Sequence, residues 1–222
     1  MLGTVGNGII KLSGDGSQLF NINQINGLGD NTALSLFEDQ SSNVWVGLDN
    51  GLDCININSP YLNFTDRSGR LGTTYASIVF DDTMYVGTNQ GLFYKPLRTD
   101  DDFKLIRGTE GQVWCLENIN ETLFCGHNRG TFQIQGASAT LIANVMGTWD
   151  IKPIPGDNQH ILLQGNYNGL NVLEKKKGIW RLRNKIKGFD ISSKYFEFSS
   201  SNNVLVSHEY KGVYSLSLDS VY

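Results

Sequence analysis

The sequence predicts an all-β protein of the β-propeller class, in which four-stranded antiparallel blades follow one another along the chain. The first observation is an internal repeat: apolar runs, an acidic turn and a pair of glycines recur every 39 to 43 residues. That period, with four short strands to a unit, is typical of propeller blades. The second is that no ten-residue stretch has the 3.6-residue apolar period of a helix. The second glycines of the pairs are Gly8, Gly51, Gly91, Gly130, Gly169 and Gly212.

Composition supports the same fold class. The 222 residues include 25 Gly, only 4 Pro, and 11 Phe, 9 Tyr and 4 Trp, whereas 18% of residues are charged. Aromatic residues favour strands, and glycine supplies the positive φ angles of tight turns. The formal net charge of −4 disfavours nucleic acid and an anionic membrane surface as partners. The sequence contains no apolar run long enough for a transmembrane helix, and its first residues lack the pattern of a signal peptide.

The alternation of apolar and polar residues divides each repeat into strands a to d. In the first complete repeat we predict strand a at 34–38, b at 44–48, c at 52–57 and d at 61–65. Later d strands are expected at 103–107, 139–143 and 179–183. The whole chain is predicted to be one propeller segment, with repeat units at 1–31 (partial), 32–73, 74–111, 112–147, 148–193 and 194–222 (partial).

The terminal repeats are incomplete in a way that bears on closure. The first supplies only strands b, c and d, and the last only a, b and c, which gives 22 strands or about five and a half blades. These two partial units cannot fuse into one blade without duplicating b and c. We therefore expect a segment of a larger propeller, of about seven blades, with a six-bladed ring as the alternative. Open blade edges predict a homo-oligomer or poor solubility.

Two positions of the repeat have structural interpretations. A bulky residue stands two places before the first glycine of each complete unit and of the last one, which predicts packing between adjacent blades. The glycine pair, as in Gly47 and Gly51, brackets a tight turn between strands b and c that we expect to need left-handed torsions. The bulky residues are Trp45, Tyr85, Phe124, Leu163 and Leu205.

One segment carries a family resemblance. Residues 35–52 have an E-D-x-x-x-N-V-W-V-G-L-x-N-G-L pattern, which resembles the propeller repeat of two-component regulators, and the similarity extends over the chain repeat by repeat. Departures are Ser207, which replaces a first glycine, and Pro153 and Pro155, which interrupt the fourth strand a. The matching residues are Glu38, Asp39, Asn43, Trp45, Gly47, Gly51 and Leu52, with a linker-like run at 27–31.

The resemblance implies a role rather than a reaction. Such propellers form the sensing region of bacterial hybrid sensor kinases and related transcriptional regulators, outside the cytoplasmic membrane. The implied function is a non-catalytic ligand-sensing module, with carbohydrate fragments as a candidate ligand. The implied partners are a small-molecule or oligosaccharide ligand and the β-sandwich and signalling domains of a membrane-anchored parent. We predict no cofactor, no metal and no nucleic acid for this segment.

The histidine and cysteine residues give little indication of a metal site or a reactive thiol. His127 and His208 stand directly after the first glycine position, where Thr88 stands in another repeat, so a turn role is favoured over a ligand or metal role. No His or Cys spacing indicates a metal site. Cys115 and Cys125 flank one hairpin and are expected on opposite faces as buried free thiols, while a one-residue slip would make them neighbours. Runs of charge at 100–102 and 175–177 are interpreted as solvated turns.

Propeller geometry predicts where a site would lie, because the b–c turns and d–a connections share one face around the central channel. Aromatic rings beside polar side chains suit sugar rings, since apolar C–H faces stack while hydroxyl groups form hydrogen bonds. The candidate ligand-binding residues are Arg70, Tyr75, Arg129, Trp149, Tyr167, Tyr195 and Tyr210.

Two other functions stay open at this point. A propeller lyase or glycosidase would use rim carboxylates and would require two of them about 5–10 Å apart. A pure protein-interaction scaffold of the WD-repeat kind is disfavoured, because its Gly-His and Trp-Asp signature is missing. The candidate carboxylates are Asp30, Asp66, Asp150 and Asp190.

Overall fold

The computed structural model describes residues 1–61, 69–97, 99, 101–156 and 160–219. Within these residues the chain forms 21 β-strands and no α-helix, which confirms the all-β class. Every sheet pairs strands that are consecutive in sequence, and every pairing is antiparallel. In the described part of the chain there is no helix with the length and apolar character needed to cross a membrane.

The first compact unit, Met1–Gly69, contains two three-stranded sheets. Apolar side chains such as Ile9, Val44 and Val46 are buried in a core that both sheets share. The first sheet consists of β1 (Leu2–Gly3), β2 (Ile9–Leu12) and β3 (Gln18–Ile22). The second consists of β4 (Ala33–Glu38), β5 (Asn43–Leu48) and β6 (Gly51–Asn56).

The second unit, Arg70–Tyr222, contains four sheets. The first has β7 (Thr74–Phe80), β8 (Thr83–Thr88), β9 (Leu92–Pro96) and β10 (Lys104–Leu105). The next has β11 (Val113–Ile119), β12 (Thr122–His127), β13 (Gly130–Gln135) and β14 (Ser138–Ala143). The third has β15 (Asp150–Pro153), β16 (Ile161–Asn166), β17 (Gly169–Lys176) and β18 (Ile179–Lys185). The last has β19 (Tyr195–Ser200), β20 (Asn203–His208) and β21 (Gly212–Ser217).

These strands agree closely with those that the repeat predicts. The partial first repeat supplies strands b, c and d as β1 to β3, and the partial last repeat supplies a, b and c as β19 to β21. Pro153 ends the short β15, in accord with the interruption expected in the fourth strand a. The predicted strand d at 61–65 lies, from residue 62 onward, outside the described residues.

Consecutive sheets of the second unit pack face to face through apolar cores. The core between the β7–β10 and β11–β14 sheets contains Tyr85 and Leu123, and the next core pairs Phe124 with Trp180 of the β15–β18 sheet. A third core brings Leu163 against residues of the β19–β21 sheet. The two middle sheets therefore bury both faces, as propeller blades do.

The bulky residue two places before the first glycine position is buried in three of the five repeats that have it. Tyr85, Phe124 and Leu163 are at most 2% exposed, and the Tyr85 hydroxyl donates a hydrogen bond to the Gly136 carbonyl of the following sheet (3.1 Å). The prediction is wrong for Trp45 and Leu205, which are 38% and 40% exposed. Leu205 lies in the last described sheet, and burial in this column requires a following sheet.

The two glycines of each pair have different roles, which corrects the prediction that both serve the turn. The second glycine has a positive φ, as at Gly130 (145°) and Gly169 (100°). The first glycines have ordinary strand torsions, and those of the second unit instead allow the next sheet to approach. A Cβ atom on Gly87 would collide with Val113, one on Gly126 would meet the Thr148 carbonyl oxygen at 2.6 Å, and one on Gly165 would collide with the Ser193 carbonyl oxygen.

The Glu-Asp…Asn…Trp motif of the first complete repeat is a turn scaffold centred on Asp39. Its carboxylate accepts hydrogen bonds from the Ser41 and Asn43 amides, from the Asn43 side chain and from the Trp45 indole, at 2.8–3.0 Å. The Asn43 and Trp45 side-chain bonds lower the pKa of Asp39 to about 2. Asp39, Asn43 and Trp45, three of the residues that carry the family resemblance, thus stabilise the a–b turn.

Substitution of Gly165 tests the close approach of sheets. We expect Gly165→Ala to lower the free energy of unfolding by about 1–3 kcal/mol, because the added methyl group must displace the Ser193 backbone of the next sheet. Urea unfolding followed by circular dichroism measures the change. Gly14→Ala is the matched control, since a Cβ there meets open space, and it should change the value by less than about 0.5 kcal/mol. Equal effects at the two positions would contradict the packing role.

Candidate functional site

In the first two sheets of the second unit, a β-bulge places one residue of strand a at an equivalent position. Tyr75 lies between the paired residues Thr74 and Ala76, and Trp114 lies between Val113 and Cys115, where the register shifts. Such a residue is left out of the ladder, and a bulge commonly redirects its side chain.

The same position is occupied in the next two sheets. Trp149 donates its amide to the Gly165 carbonyl oxygen, and Asp150 also pairs with Gly165. In the last sheet Tyr195 pairs with Ser207, so Lys194 occupies this position. Four consecutive sheets thus present Tyr75, Trp114, Trp149 and Lys194 at their strand-a entrances.

Three of these residues and Tyr167, from a b–c turn, form an aromatic row. The ring centroids of Tyr75 and Trp114 are 5.1 Å apart, those of Trp114 and Trp149 are 4.6 Å apart, and those of Trp149 and Tyr167 are 5.1 Å apart. The planes are inclined by 39–56°, which lies between flat stacking and an edge-to-face contact. Tyr75 is 45% exposed, and the other three rings are half-buried.

Hydrogen bonds fix the orientation of the row. The Trp114 indole donates to the Tyr167 hydroxyl (3.0 Å), and the Trp149 indole donates to the Ser192 hydroxyl (3.2 Å). Both indole nitrogens are therefore satisfied within the protein, and their ring faces are the part left for a ligand. Such rigid rings lose little conformational entropy on binding.

A buried polar network supports the backbone beside Trp149. The Asn166 side-chain amide donates to the Thr148 hydroxyl (3.0 Å). The Thr131 hydroxyl donates to the side-chain Oε1 of Gln164 (2.6 Å) and lies 2.9 Å from the Thr148 hydroxyl. The side-chain amides of Gln164 and Asn171 both donate to the side-chain Oδ1 of Asn166 at 3.0 Å. All five side chains are at most 2% exposed, so the network is fully enclosed and internally satisfied.

Lys194 adds a positive charge at one end of the row. Its ammonium lies 5.2 Å from the Trp149 ring centroid and 5.1 Å from that of Tyr195, within cation–π range. It also pairs with Glu209 at 3.0 Å, and the Glu209 hydrogen bond raises the pKa of Lys194. The site therefore combines aromatic faces with one held cation.

Four of the seven candidate residues come together here, namely Tyr75, Trp149, Tyr167 and, through Lys194, Tyr195. The other three lie elsewhere. Arg129 donates to the Gly108 carbonyl oxygen, and its guanidinium carbon lies 5.9 Å from the centroid of the Phe132 ring. Tyr210 is 90% exposed beside His208, and Arg70 is exposed near the start of the second unit.

Sequence reasoning missed Trp114 and Lys194. Both occupy the repeat column that contains Tyr75 and Trp149, one residue before the residue that pairs with the first glycine or with Ser207. An alignment of the repeats on that column would have indicated them. The period-2 pattern did not indicate Trp114, because a bulge adds one residue to the alternation there.

A second region lies farther along the same strands, at the opposite end of β11. A depression of about 550 Å³ is lined by residues 117–120 and 150–153. Lys152 forms ion pairs with Asp150 (3.4 Å) and with Glu197 of β19. Burial, together with the Asp150 charge, raises the pKa of Glu117, although Lys152 opposes the shift.

The four rim carboxylates considered for catalysis have different surroundings. Asp150 belongs to the ion-paired group just described, and Asp190 pairs with Lys185. Asp30 accepts the Thr32 amide at 2.7 Å in the first unit, which is a turn contact. Asp66 lies outside the described residues, as does Asp100 of the acidic run.

The two histidines at the repeat position stabilise b–c turns, as favoured. His127 accepts the Arg129 amide on Nδ1 (3.0 Å), so Nε2 carries the hydrogen and donates to the Thr109 carbonyl oxygen (3.2 Å). His208 accepts the Tyr210 amide in the same way (3.1 Å), and the Thr88 hydroxyl accepts the Gln90 amide (3.0 Å). No group of three or more His, Cys, Asp or Glu residues in the described ranges is arranged to hold a metal ion.

The cysteines have the predicted arrangement. Leu116 pairs with Cys125, so Cys115 and Cys125 belong to opposite faces of one hairpin and to different cores. Both are free, and burial raises the pKa of each thiol. Cys54 is also free and is exposed.

Comparison with known proteins places the fold. No protein-family model matches the sequence, and no curated protein matches it. Among solved structures, the extracellular domain of BT4673 from B. thetaiotaomicron, described as a one component system, is 17% identical with a TM-score of 0.53. The match covers 93% of this chain and 35% of that one.

Two further structures are similar. The extracellular domain of BT3049 from B. thetaiotaomicron, described as a hybrid two component system, is 18% identical with a TM-score of 0.53, over 85% of this chain and 27% of that one. The WD40 β-propeller domain of Doa1 is 10% identical with a TM-score of 0.51, over 83% and 61% of the two chains. The chain thus spans well under half the length of the two extracellular domains. The similarity establishes a β-propeller fold, in agreement with the repeat.

Burial of His127 predicts a pH effect on stability. Burial lowers its pKa, with Arg129 adding to the shift and Thr109 and Glu110 opposing it. The unfolded chain therefore takes up this proton at a higher pH, so the free energy of unfolding falls as the pH falls from about 7 toward the folded-state pKa. Chemical denaturation between about pH 7.5 and 5.5 should give a shallower dependence for His127→Asn.

A second variant separates titration from turn geometry. His127→Thr copies the Thr88 turn and retains an acceptor for the Arg129 amide. It should flatten the pH dependence as His127→Asn does. An undiminished dependence in both variants would exclude His127 as its source.

Proposed function

We propose that the chain is a non-catalytic ligand-sensing propeller module of a bacterial two-component or one-component regulator, and that it recognises carbohydrate fragments. The observation that carries the proposal is the aromatic row of Tyr75, Trp114, Trp149 and Tyr167, whose planes are fixed and partly exposed. Apolar sugar faces pack against such rings, while the sugar hydroxyl groups find polar groups beside them.

The polar groups beside the row suit this ligand class. Lys194 is a donor, Glu209 an acceptor, and the Tyr167 and Ser192 hydroxyls each have capacity left after accepting an indole N–H. Adjoining rings 4.6–5.1 Å apart form a continuous apolar surface, which suits an extended chain of sugars better than a compact ligand.

The proposed setting follows from the similar structures. Two of them are extracellular domains of proteins described as hybrid two component or one component systems. We infer an extracytoplasmic location in a membrane-anchored parent, with neighbouring β-sandwich and signalling domains as partners. Open blade edges, such as that of β21, would support homo-oligomer formation.

A glycan array followed by calorimetry tests the ligand. We expect the chain to bind a defined oligosaccharide, and Trp114→Ala or Trp149→Ala to weaken binding at least about tenfold, because each removes stacking area worth about 1–3 kcal/mol. Tyr210→Ala is the matched control, since Tyr210 is an exposed aromatic residue without a contact to the row among the described residues, and it should bind as the unmodified chain does.

The same experiment separates the competing functions. Release of reducing ends from any bound sugar would favour the glycosidase or lyase alternative, with Glu117 and Asp150 as the carboxylates to replace. Absence of binding to every glycan, or equal binding by the Trp114→Ala and Trp149→Ala variants, would contradict the proposal. Circular dichroism of each variant establishes that the fold is kept.

A further inference from the structure

A second feature, outside the aromatic row, is a strip of positive charge at the outer edge of the third sheet of the second unit. Residues 174–190 contain seven Lys or Arg residues and two carboxylates, whereas the whole chain has a formal charge of −4. The formal net charge of residues 174–190 is therefore +5, and that of the remainder of the chain is −9. The seven cations, called the basic strip below, are Lys175, Lys176, Lys177, Arg181, Arg183, Lys185 and Lys187.

Most of this charge is exposed and unpaired. Arg181 pairs with Glu174, and Lys185 pairs with Asp190. Lys176, Lys177, Arg183 and Lys187 are exposed and form no ion pair with any residue that the structure describes. Four cations on the β17–β18 hairpin and the connection that follows it create a local positive field.

Protection of an edge strand does not account for the strip. Charged residues on β18 do discourage pairing with another chain. However, β14 is the outer strand of the neighbouring sheet in the same unit, and its six residues, Ser138–Ala143, include no charged side chain. Edge protection in this fold therefore does not require seven cations.

An exposed apolar side chain lies at the hairpin end of the basic strip. Lys177 and Gly178 have φ angles of 51° and 82° and form the tip of the β17–β18 hairpin. Ile179 follows them, pairs with Lys176, and is 69% exposed. A lipid headgroup region accommodates both groups, because phosphates bind the cations while the acyl boundary accepts the isoleucine. A soluble polyanion offers nothing to the isoleucine.

We propose that the basic strip is a docking surface for an anionic phospholipid bilayer, with Ile179 inserted at the headgroup boundary. Each Lys or Arg near such a surface contributes about 1 kcal/mol. The negative remainder of the chain is repelled by the same surface, so it orients the hairpin tip toward the lipid. This proposal does not depend on the ligand of the aromatic row.

Vesicle co-sedimentation of the full chain tests the surface at about 0.1 M salt. We expect binding to phosphatidylcholine vesicles that contain phosphatidylglycerol and none to phosphatidylcholine alone. The triple variant Lys176→Gln, Lys177→Gln, Arg183→Gln should reduce the partition constant about a hundredfold. These side chains are exposed, so the fold is expected to remain intact.

A second triple variant is the matched control. Lys104→Gln, Arg107→Gln, Lys211→Gln removes the same number of charges from exposed positions elsewhere in the same unit. It should retain binding within about threefold, because net charge alone does not explain docking. An equal loss in the two triple variants would overturn the proposal, as would equal binding to vesicles with and without phosphatidylglycerol.

Ile179→Ser separates lipid from other polyanions. Loss of the inserted side chain should weaken vesicle binding about tenfold while leaving binding to dextran sulfate unchanged. If Ile179→Ser binds vesicles as tightly as the unmodified chain, the strip recognises anions in general and the lipid assignment is wrong.

Discussion

The second unit depends on the absence of three side chains. Gly87, Gly126 and Gly165 are the penultimate residues of the b strands of consecutive sheets. A Cβ atom on each would collide with a residue at or just before the start of the next strand a. These residues are Val113, Thr148 and Ser193, each of which directly precedes a member of the repeat column that holds Trp114, Trp149 and Lys194. The contact that allows sheets to stack therefore also sets the position of the side chains at the rim, so scaffold and candidate site share one constraint.

Much of the fold is readable in the sequence because two local signals agree. The glycine period locates the b–c turns, and period-2 alternation locates the strands beside them, as at β5 and β6, where predicted and observed bounds differ by one residue. Burial was harder to predict, since the exposure of Leu205 depends on whether another sheet follows its own rather than on the sheet itself. Half of the site could be predicted: Tyr75 and Trp149 stood out as aromatic residues. Trp114 lies in a β-bulge that breaks the alternation, and Lys194 is recognised only by its place before the residue that pairs with Ser207.

The net charge of the whole chain is a poor guide to which partners it binds. The net charge of −4 disfavours contact with phosphate-rich surfaces. It is, however, the sum of a net charge of +5 for residues 174–190 and of −9 for the rest of the chain. At ordinary ionic strength charges farther apart than about 10 Å are largely screened, so a partner at the β17–β18 hairpin meets the local field and not the total. Of the lysine run at 175–177, only Lys177 lies in the hairpin turn, because Lys175 and Lys176 belong to the end of β17. The run is part of a larger pattern that includes the adjacent strand.

The contact between Trp114 and Trp149 has a spectroscopic consequence. Two indoles with centroids 4.6 Å apart and planes inclined by 39° are close enough for their electronic transitions to couple. Their relative orientation is held by separate hydrogen bonds, to Tyr167 and to Ser192. The native chain consequently contains its own chromophore pair, whose circular dichroism in the near ultraviolet reports the geometry of the rim without any label.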